Sequence, residues 1–366
     1  MITEVLVEQI LKNAFDDSAT DIHLIPYTLG YVVQYRIQGR LFSVKKISPE
    51  RGDRLISHLK FLAAMDISEK RKPQSGSLET NVSGKRIALR ISTLPTAQLK
   101  ESIVIRLLPQ KQTLPYDKLS LFPSQSNLLT TFMGQAHGML VFSGPTGSGK
   151  TTMMYALAEY SASTLNRHVV TLEDPVERQT ENLLQVQVNE KAGITYSNGL
   201  RAILRHDPDV ILIGEIRDAE TARVAIRAAM TGHLVLSSIH ARSAEGVIYR
   251  LLELGIQPQE MEQTLLAITA QRLVTINCAY CGYACSKYCL KMRQARTGIF
   301  EILYGDSLKG SIALTQGKGG ISNYAKLQDL IRKGIALGYI SAEEYGRWIV
   351  EEKNDLKRTG YISHKM

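Results

Sequence analysis

The spacing of apolar residues divides the chain into an irregular first part and a regular second part. Residues 1–108 alternate strand-like runs with helical stretches, one of which covers about residues 50–66. The N-terminal residues 1–17 predict an amphipathic helix. Its apolar face carries Val5, Leu6, Ile10, Ala14 and Phe15. Strand-like runs occur at 31–37, 85–91 and 102–108. We therefore expect a small α/β domain over residues 1–108.

Beyond residue 125 the pattern becomes strand then helix, repeated. The predicted strands at 139–143, 169–172, 210–213 and 234–239 are almost continuously apolar, as in parallel sheets that are buried on both faces. Pro109, Pro115 and Pro123 interrupt any regular element between the two parts. The predicted α/β organisation is a domain over 1–108, a linker over 109–124, a second domain over 125–300 and a mainly helical region over 301–366. In this last region we expect helix at 325–352, with breaks at Gly334 and Gly338.

Composition excludes disordered, secreted and membrane-spanning proteins. Of 366 residues, 44% are hydrophobic and 22% charged, without a low-complexity tract. The longest apolar runs fall far short of the ~18 residues of a membrane span. The first helix carries acidic residues where a signal peptide carries basic ones. We expect a cytoplasmic protein whose contact with the membrane is peripheral.

The net charge of +9 would suit nucleic acid or an anionic membrane, but it is spread over 44 basic and 35 acidic residues. There is no basic stripe interleaved with aromatic residues, so direct nucleic-acid binding is not expected. One alternative stays open. In it, the chain is a basic, zinc-stabilised nucleic-acid-binding protein for which ATP is only a conformational ligand.

The octapeptide GPTGSGKT follows an apolar strand and begins a helix, which is the context that the GxxxxGK[ST] phosphate-binding loop requires. Glycines let backbone N–H groups surround phosphate oxygens at a helix N-terminus. Lys150 would contact the β and γ phosphates, Thr151 the magnesium ion, and Thr152 a further phosphate oxygen. The predicted site for ATP and Mg²⁺ comprises Gly144, Pro145, Thr146, Gly147, Ser148, Gly149, Lys150, Thr151 and Thr152.

The neighbouring strands end in acidic residues and histidine, where an open α/β sheet binds its ligands. Glu215 follows the strand at 210–213 and would polarise the attacking water, while Glu173 or Glu177 would support Mg²⁺. Glu215 could instead be an ordinary surface carboxylate at a strand end. His233 and His240 flank the strand at 234–239 and either sense the γ-phosphate or only form hydrogen bonds at the sheet edge.

All four cysteines fall in one C-x2-C-x3-C-x3-C cluster. Without a secretory signal, disulfides are not expected. The spacing is compact enough for one tetrahedral structural Zn²⁺, although four free thiols in a loop are the alternative. The predicted ligands are Cys278, Cys281, Cys285 and Cys289.

In their order and spacing these motifs resemble the secretion and type IV pilus assembly ATPase superfamily, the traffic ATPases of GspE and PilB type. The short N-terminal part and the compact cysteine cluster are most similar to its competence-system members. The matching segments are GPTGSGKTT, TLEDPVE, LRAILRHDPDVILIGEIRDAETA, TGHLVLSSIH and QRLV, preceded by ATDIHL, RKPQSG, RISTLPT and IVIRLL.

The resemblance implies a homo-hexamer of two-domain subunits, each with a PAS-like N-terminal domain and a RecA-like ATPase domain with a helical C-terminal part. It implies that ATP hydrolysis acts on a polytopic membrane platform protein to assemble a competence pilus or pseudopilus for DNA uptake. It also implies that Arg90 and Arg106 move onto the phosphates, although either could be an ordinary surface arginine. A pilus retraction ATPase shares every motif and remains an alternative.

Some positions depart from the family pattern. Gln38 stands where the family often has Asp, and Lys100 where it usually has Gly. The usual TLHTN is SIHAR here, which leaves the role of the residues after His240 open. Gly214 replaces the ordinary Walker B aspartate, as is usual in this superfamily.

Overall fold

The computed structural model describes residues 2–97, 100–109, 115–282, 285–292 and 294–349. Residues 110–114 of the predicted linker and 350–366 of the predicted C-terminal region lie outside this range. The chain forms two compact units. The first contains Met1–Gln112, Glu177–Gln179 and Cys278–Ala295, and the second contains Thr113–Val176, Thr180–Asn277 and Arg296–Met366. Residues 278–295, here called the cysteine segment, were expected within 125–300 but group with the first unit.

The first unit is built on a six-stranded antiparallel sheet with the order β3-β2-β1-β6-β5-β4. Tyr31, Val33, Tyr35 and Ile37 alternate with less buried residues along β2, so one face of the sheet joins the core. The elements are α1 (Ile2–Asp16), β1 (Asp21–Tyr27), β2 (Gly30–Ile37), β3 (Arg40–Ile47), α2 (Pro49–Leu62), β4 (Gln74–Val82), β5 (Lys85–Pro95) and β6 (Glu101–Pro109).

Helix α1 forms where its apolar spacing predicts it. Val7, Ile10, Leu11 and Ala14 are buried, and Leu6 and Phe15 pack against the same core. Of the expected apolar face only Val5 is exposed. The buried stripe also includes Val7 and Leu11, which the expectation left out.

None of the described helices is long and apolar enough to cross a membrane.

The second unit begins with an alternation of strands and helices. The elements up to the cysteine segment are α3 (Pro123–Met133), β7 (Gly138–Ser143), α4 (Lys150–Thr164), β8 (Val169–Glu173), β9 (Leu184–Gln187), α5 (Tyr196–Ile203), β10 (Val210–Ile213), α6 (Ala219–Met230), β11 (Leu234–Ile239), α7 (Ala244–Glu253), α8 (Pro258–Thr264) and β12 (Leu265–Thr275).

The cysteine segment carries one short helix, and the chain then returns to the second unit. The remaining elements are α9 (Lys287–Met292), β13 (Arg296–Tyr304), α10 (Gly305–Thr315), α11 (Leu327–Ala336) and α12 (Glu343–Trp348). A chain reversal between α11 and α12 includes Gly338, whose φ is +73°. Gly334 was expected to break a helix but lies inside α11, where a Cβ would come within 3.0 Å of Ile340 Cδ1 and 3.1 Å of Leu121 Cδ2. Gly334 therefore permits close packing.

The second unit is organised by a seven-stranded sheet with the order β13-β12-β7-β11-β10-β8-β9. Every pair is parallel except β12 with β13. All residues of β7, β8, β10 and β11 are buried, which explains their continuous apolar pattern. The predicted mixed α/β architecture is confirmed. The carboxyl ends of β7, β11, β10 and β8 meet at one edge of this sheet.

Candidate active site and metal centre

The loop between β7 and α4 has a backbone that glycine must supply. Gly144, Gly147 and Gly149 have φ values of +143°, +76° and +89°. A Cβ on Gly144 would also lie 2.5 Å from Gln271 O and 2.8 Å from Ser148 Oγ. Substitution would therefore both strain the loop and push it off β12. The result is an open backbone cradle at the N-terminus of α4, which has 15 residues.

Lys150 Nζ donates to the carbonyl oxygens of Gly144 and Pro145, at 2.7 and 3.2 Å. Burial, and then the charge of Arg272, lower the pKa of Lys150. Ser148 Oγ is buried and finds no hydrogen-bond partner within the described part of the chain. A cation, an orphaned hydroxyl and a helix N-terminus together fit a phosphate group. Thr151 and Thr152, half-buried and exposed, lie in the first turn of α4.

The parallel sheet brings Glu215 and His240 to the edge that holds this loop. Strand β11 lies between β7 and β10, and residues 240 and 215 follow the ends of β11 and β10. His240 Nε2 lies 3.3 Å from Glu215 Oε2, while Arg217 Nε donates to Glu215 Oε1. The Glu215 side chain is 17% exposed. A carboxylate oriented on two sides but still open to solvent can act on a water molecule.

His240 is neutral at pH 7. Burial first, then the positive charges of Lys150 and Arg217, lower its pKa from the ordinary 6.5. A neutral ring whose Nε2 carries the proton donates one hydrogen bond to Glu215 without adding charge.

Glu173 lies in a different environment. It is 3% exposed. Tyr155 Oη donates to its Oε1 and Oε2 at 2.8 and 2.6 Å, and Thr171 Oγ1 donates to Oε1 at 2.6 Å. Gln185 Nε2 donates to Tyr155 Oη at 2.9 Å. These contacts are those of a structural carboxylate, and a magnesium-supporting role for Glu173 stays a prediction.

Two other predicted site residues have different surroundings. Glu177 belongs to the short stretch Glu177–Gln179 that groups with the first unit. His233 precedes β11, and its ring Nδ1 lies 3.1 Å from Ala228 O. His233 and His240 are separated by a complete strand, or about 23 Å at ~3.3 Å per residue. The structure therefore does not bring His233 to the edge that holds the loop.

Arg90 and Arg106 lie side by side on the sheet of the first unit. Arg106 is directly opposite both Arg90 on β5 and Asp21 on β1, and Asp21 is opposite Arg36 on β2. Arg106 Nε donates to Asp21 Oδ1 at 2.9 Å, and Arg36 Nε lies 3.9 Å from Asp21 Oδ2. Like charges directly opposite one another are unfavourable, so this row leaves an excess of positive charge on one face.

The four cysteine thiols lie close enough to bind one metal ion. All four Sγ atoms lie within 4.8 Å of one another. The separations among Cys278, Cys281 and Cys289 are 3.6 to 3.7 Å. A tetrahedral site with Zn–S bonds of about 2.3 Å has edges of about 3.8 Å. The backbone N–H groups of Tyr280 and Cys281 also lower the pKa of Cys278, which favours a thiolate. The cluster therefore fits a zinc ion.

Residues 1–347 match the family described as "Type II/IV secretion system protein". The chain belongs to this family. The competence protein ComGA of Bacillus subtilis (strain 168) is 51% identical over 354 residues, covering 95% of this chain and 99% of that protein. The type II secretion system protein E of Pseudomonas aeruginosa is 44% identical over 383 residues, covering 95% of this chain and 75% of that protein.

A solved structure has a similar fold. The crystal structure of the pilus retraction motor PilT with bound ADP has a TM-score of 0.68 and 25% identity, covering 96% of this chain and 99% of that one. Together with the relatives, it confirms the predicted membership of the secretion and pilus ATPase superfamily. The match to ComGA confirms the expected similarity to its competence-system members.

Gln38, which departs from the family pattern, forms hydrogen bonds with the cysteine segment. Gln38 has a φ of +47° in the turn between β2 and β3. Its Nε2 donates to Leu290 O, and its Oε1 accepts from Ala295 N, both at 2.7 Å. Lys287 Nζ lies 3.4 Å from Asp17 Oδ2. The side chain of Gln38 thus fastens the cysteine segment to the sheet of the first unit.

Several residues around the phosphate-binding loop were given no role from the sequence. Arg217 Nη1 lies 3.7 Å from Asp174 Oδ2, so it joins the ends of β10 and β8. Asp174 directly follows β8 and Arg217 lies four residues after β10, so their places near strand ends were a signal for both. Gln271 and Arg272 lie beside the loop on β12, a strand that the periodicity did not predict. The family segment QRLV was the only signal for this pair.

Proposed function

We propose that this family member is an ATPase that hydrolyses Mg-ATP and uses the energy to assemble a competence pilus or pseudopilus for DNA uptake. The observation that carries the proposal is that the loop leading to Lys150, together with Glu215 and His240, follows the carboxyl ends of three neighbouring strands, where His240 Nε2 lies 3.3 Å from Glu215 Oε2. Nucleotide binding is supported by the similarity to the PilT structure, which holds bound ADP. The competence assignment is supported by the name of the Bacillus relative.

Each residue has a chemical task in this proposal. The backbone of the glycine-rich loop and Lys150 hold the β and γ phosphates, and Thr151 presents its hydroxyl for Mg²⁺. Magnesium supplies charge neutralisation at the phosphate oxygens. Glu215 orients and polarises the attacking water, while His240 keeps the carboxylate in place as a neutral donor. The contacts of the Glu215 carboxylate with Arg217 and His240 support this division of tasks.

ATP turnover measured with purified full-length protein tests the activity. We expect magnesium-dependent turnover that is lost in Lys150→Ala and does not require DNA. Turnover that appears only with DNA, together with salt-sensitive DNA affinity, would favour the nucleic-acid-binding alternative instead. Absence of turnover in well-folded protein across protein concentrations would contradict the proposal.

We further propose that the chain acts as a homo-hexamer of PAS-like and RecA-like domains. In this arrangement Arg90 and Arg106 move onto the phosphates and offset charge in the transition state. The exposed row of arginines on the first unit supports this role. Arg106→Ala should keep nucleotide affinity and lose turnover. Arg86→Ala is the matched control, because Arg86 is also an exposed arginine paired with a carboxylate, that of Glu79, but lies outside the row formed by Arg90, Arg106 and Arg36. Unchanged turnover in Arg106→Ala would remove this arginine from the mechanism.

Particle size measured beside turnover tests the ring. We expect turnover per chain to rise with the fraction of hexamer. A monomer with full activity would contradict a ring motor. The proposed setting is the cytoplasmic side of the membrane, where the motor binds peripherally to a polytopic platform protein of the pilus or secretion machine.

We propose one structural Zn²⁺ at Cys278, Cys281, Cys285 and Cys289. The fit of the Sγ separations to a tetrahedral site supports it. Metal analysis should find about one Zn per chain, as expected for a four-thiolate site. Cys281→Ser should lower this content and the resistance of the cysteine segment to proteolysis. A well-folded protein without zinc would refute the site.

A pilus retraction ATPase is the second candidate, favoured by the similarity to the retraction motor PilT over nearly the whole chain. Deleting the gene separates the two directions of work. Loss of surface filaments indicates assembly, and an excess of filaments indicates retraction.

A further inference from the structure

Arg272 joins three separate parts of the second unit. It lies on β12 and is 7% exposed. Its Nη1 donates to Gln271 O at 2.9 Å, and its Nη2 donates to Arg242 O at 2.6 Å. Its guanidinium also lies 5.7 Å from the ring centre of Trp348 on α12. One side chain thus contacts the strand beside the phosphate-binding loop, the segment just after His240 and the C-terminal helix.

Gln271 packs against the phosphate-binding loop, and its side facing the loop is here called the wall of the loop. A Cβ on Gly144 would lie 2.5 Å from Gln271 O, and one on Gly149 would lie 2.9 Å from Gln271 Nε2. Gln271 therefore contacts both ends of the loop. The Gln271 carbonyl that lies against Gly144 is also the acceptor for Arg272. Any displacement of the loop against this wall acts directly on Arg272.

The third contact of Arg272 is to a helix that is itself fixed to the same strand. Glu344 on α12 is buried and accepts hydrogen bonds from Thr275 N at 3.1 Å and from Trp348 Nε1 at 3.0 Å. Because Thr275 is the last residue of β12, helix α12 is fixed at Glu344 and meets Arg272 at Trp348. A displacement of Arg272 would therefore change the surroundings of the Trp348 ring.

We propose that Arg272 is a positioning residue that couples the phosphate-binding loop and the segment after His240 to helix α12, so that nucleotide binding changes the environment of Trp348. The inference rests on the proposed binding of ATP. The planar guanidinium fork can hold two carbonyl groups and one aromatic ring in a fixed geometry. A lysine ammonium is a point charge on a flexible stem and cannot fix all three.

The chain contains its own reporter for this coupling, because Trp348 is its only tryptophan. We expect Mg-ADP to change the emission of Trp348 in the full-length protein. In Arg272→Lys the change should fall at least about fivefold, while calorimetry finds ADP affinity within about threefold of the original. Turnover should fall about tenfold, because small displacements of positioned groups are costly in rate.

Arg347→Met is the matched control. Arg347 lies 4.9 Å from the centre of the same ring, but it is exposed and pairs with Glu344 of its own helix α12. This variant should keep both the ADP-dependent change in emission and the turnover. A loss of response in Arg347→Met as large as that in Arg272→Lys would mean that the emission reports only local charge, and would overturn the proposal.

A second variant keeps the test decisive if Arg272→Lys does not fold. Trp348→Leu removes the ring without touching the phosphate-binding loop. It should lower kcat severalfold and leave the KM for ATP unchanged. Unaltered kcat in Trp348→Leu, or an unaltered ADP response in folded Arg272→Lys, would overturn the coupling. If calorimetry detects no ADP binding to the original protein, the proposed function itself fails, which is a distinct result.

Discussion

The ends of β8 and β10 show how two neighbouring acidic residues acquire different environments. Glu173 is the last residue of β8, points to the same face as Thr171 and receives hydrogen bonds from Tyr155. Glu215 follows β10 by two residues and contacts Arg217 and His240. Ile213 is level with Leu172, so Glu215 extends one residue further along the sheet than Glu173. A difference of one residue separates a side chain within the core from one at the open edge.

The two histidines that flank the neighbouring strand β11 also differ in their environments. His233 and His240 flank β11, and both are chemically suited to a phosphate site. Because the sheet is parallel, one lies at the edge that carries the phosphate-binding loop and the other at the opposite edge. Position along the strand decides which histidine can reach Glu215.

The largest expected effect is that of Glu215→Gln. Loss of the carboxylate should lower kcat by about 10²–10³, within the usual range for a positioned acid–base group. Nucleotide affinity should change little, because the phosphates are held by the loop and Lys150. Steady-state ATP turnover and calorimetry measure the two quantities. Glu220→Gln is the control, since Glu220 is an exposed acid that pairs with Arg201. Equal loss of turnover in both variants would contradict the assignment.

Glu173→Gln should act mainly on stability. An amide keeps one acceptor but places an NH2 group against hydroxyl donors, so the free energy of unfolding should fall by about 1–3 kcal/mol. Urea denaturation measures the change. Tyr155→Phe removes the main donor, and the double variant should be less destabilised than the sum of the single variants. A Glu173→Gln protein that is fully stable but as inactive as Glu215→Gln would restore the predicted magnesium-supporting role.

The histidines should differ by a smaller factor. His240→Ala removes the donor to Glu215 and should lower kcat about tenfold, equivalent to about 1.4 kcal/mol. His233→Ala should leave kcat within about twofold, because a ring at the opposite edge has no part in positioning. Parallel turnover assays measure both. A larger effect from His233→Ala would show that the opposite edge takes part in catalysis.

The smallest expected effect is on the pH profile. Burial and the charges of Lys150 and Arg217 lower the pKa of His240 in the folded protein below its ordinary 6.5. Protonation therefore favours the unfolded chain, and any stability due to neutral His240 is lost as pH falls from 6.5 through the folded pKa. Turnover should stay level from pH 8 to 6.5 before an acid limb that shifts in His240→Gln. An unshifted limb would assign this titration to another group.

Local patterns sufficed for part of the site. The glycines and Lys150 were predictable because a strand, a glycine-rich loop and a helix N-terminus are consecutive in the chain. Glu215 was predictable from its place after a buried strand. The tasks of Glu173 and His233 were not, because side-chain direction and strand order depend on partners that lie far away in the sequence.

By itself, the sequence determined the α/β architecture, the phosphate-binding loop, the cysteine cluster and the family, since each is written in consecutive residues or fixed spacings. Only the tertiary structure decided that Gln38 fastens the cysteine segment to the first unit, and that Arg272 links Gln271 to Trp348. The physical reason is that these contacts join residues far apart in the chain. Their geometry exists only after the sheets have assembled.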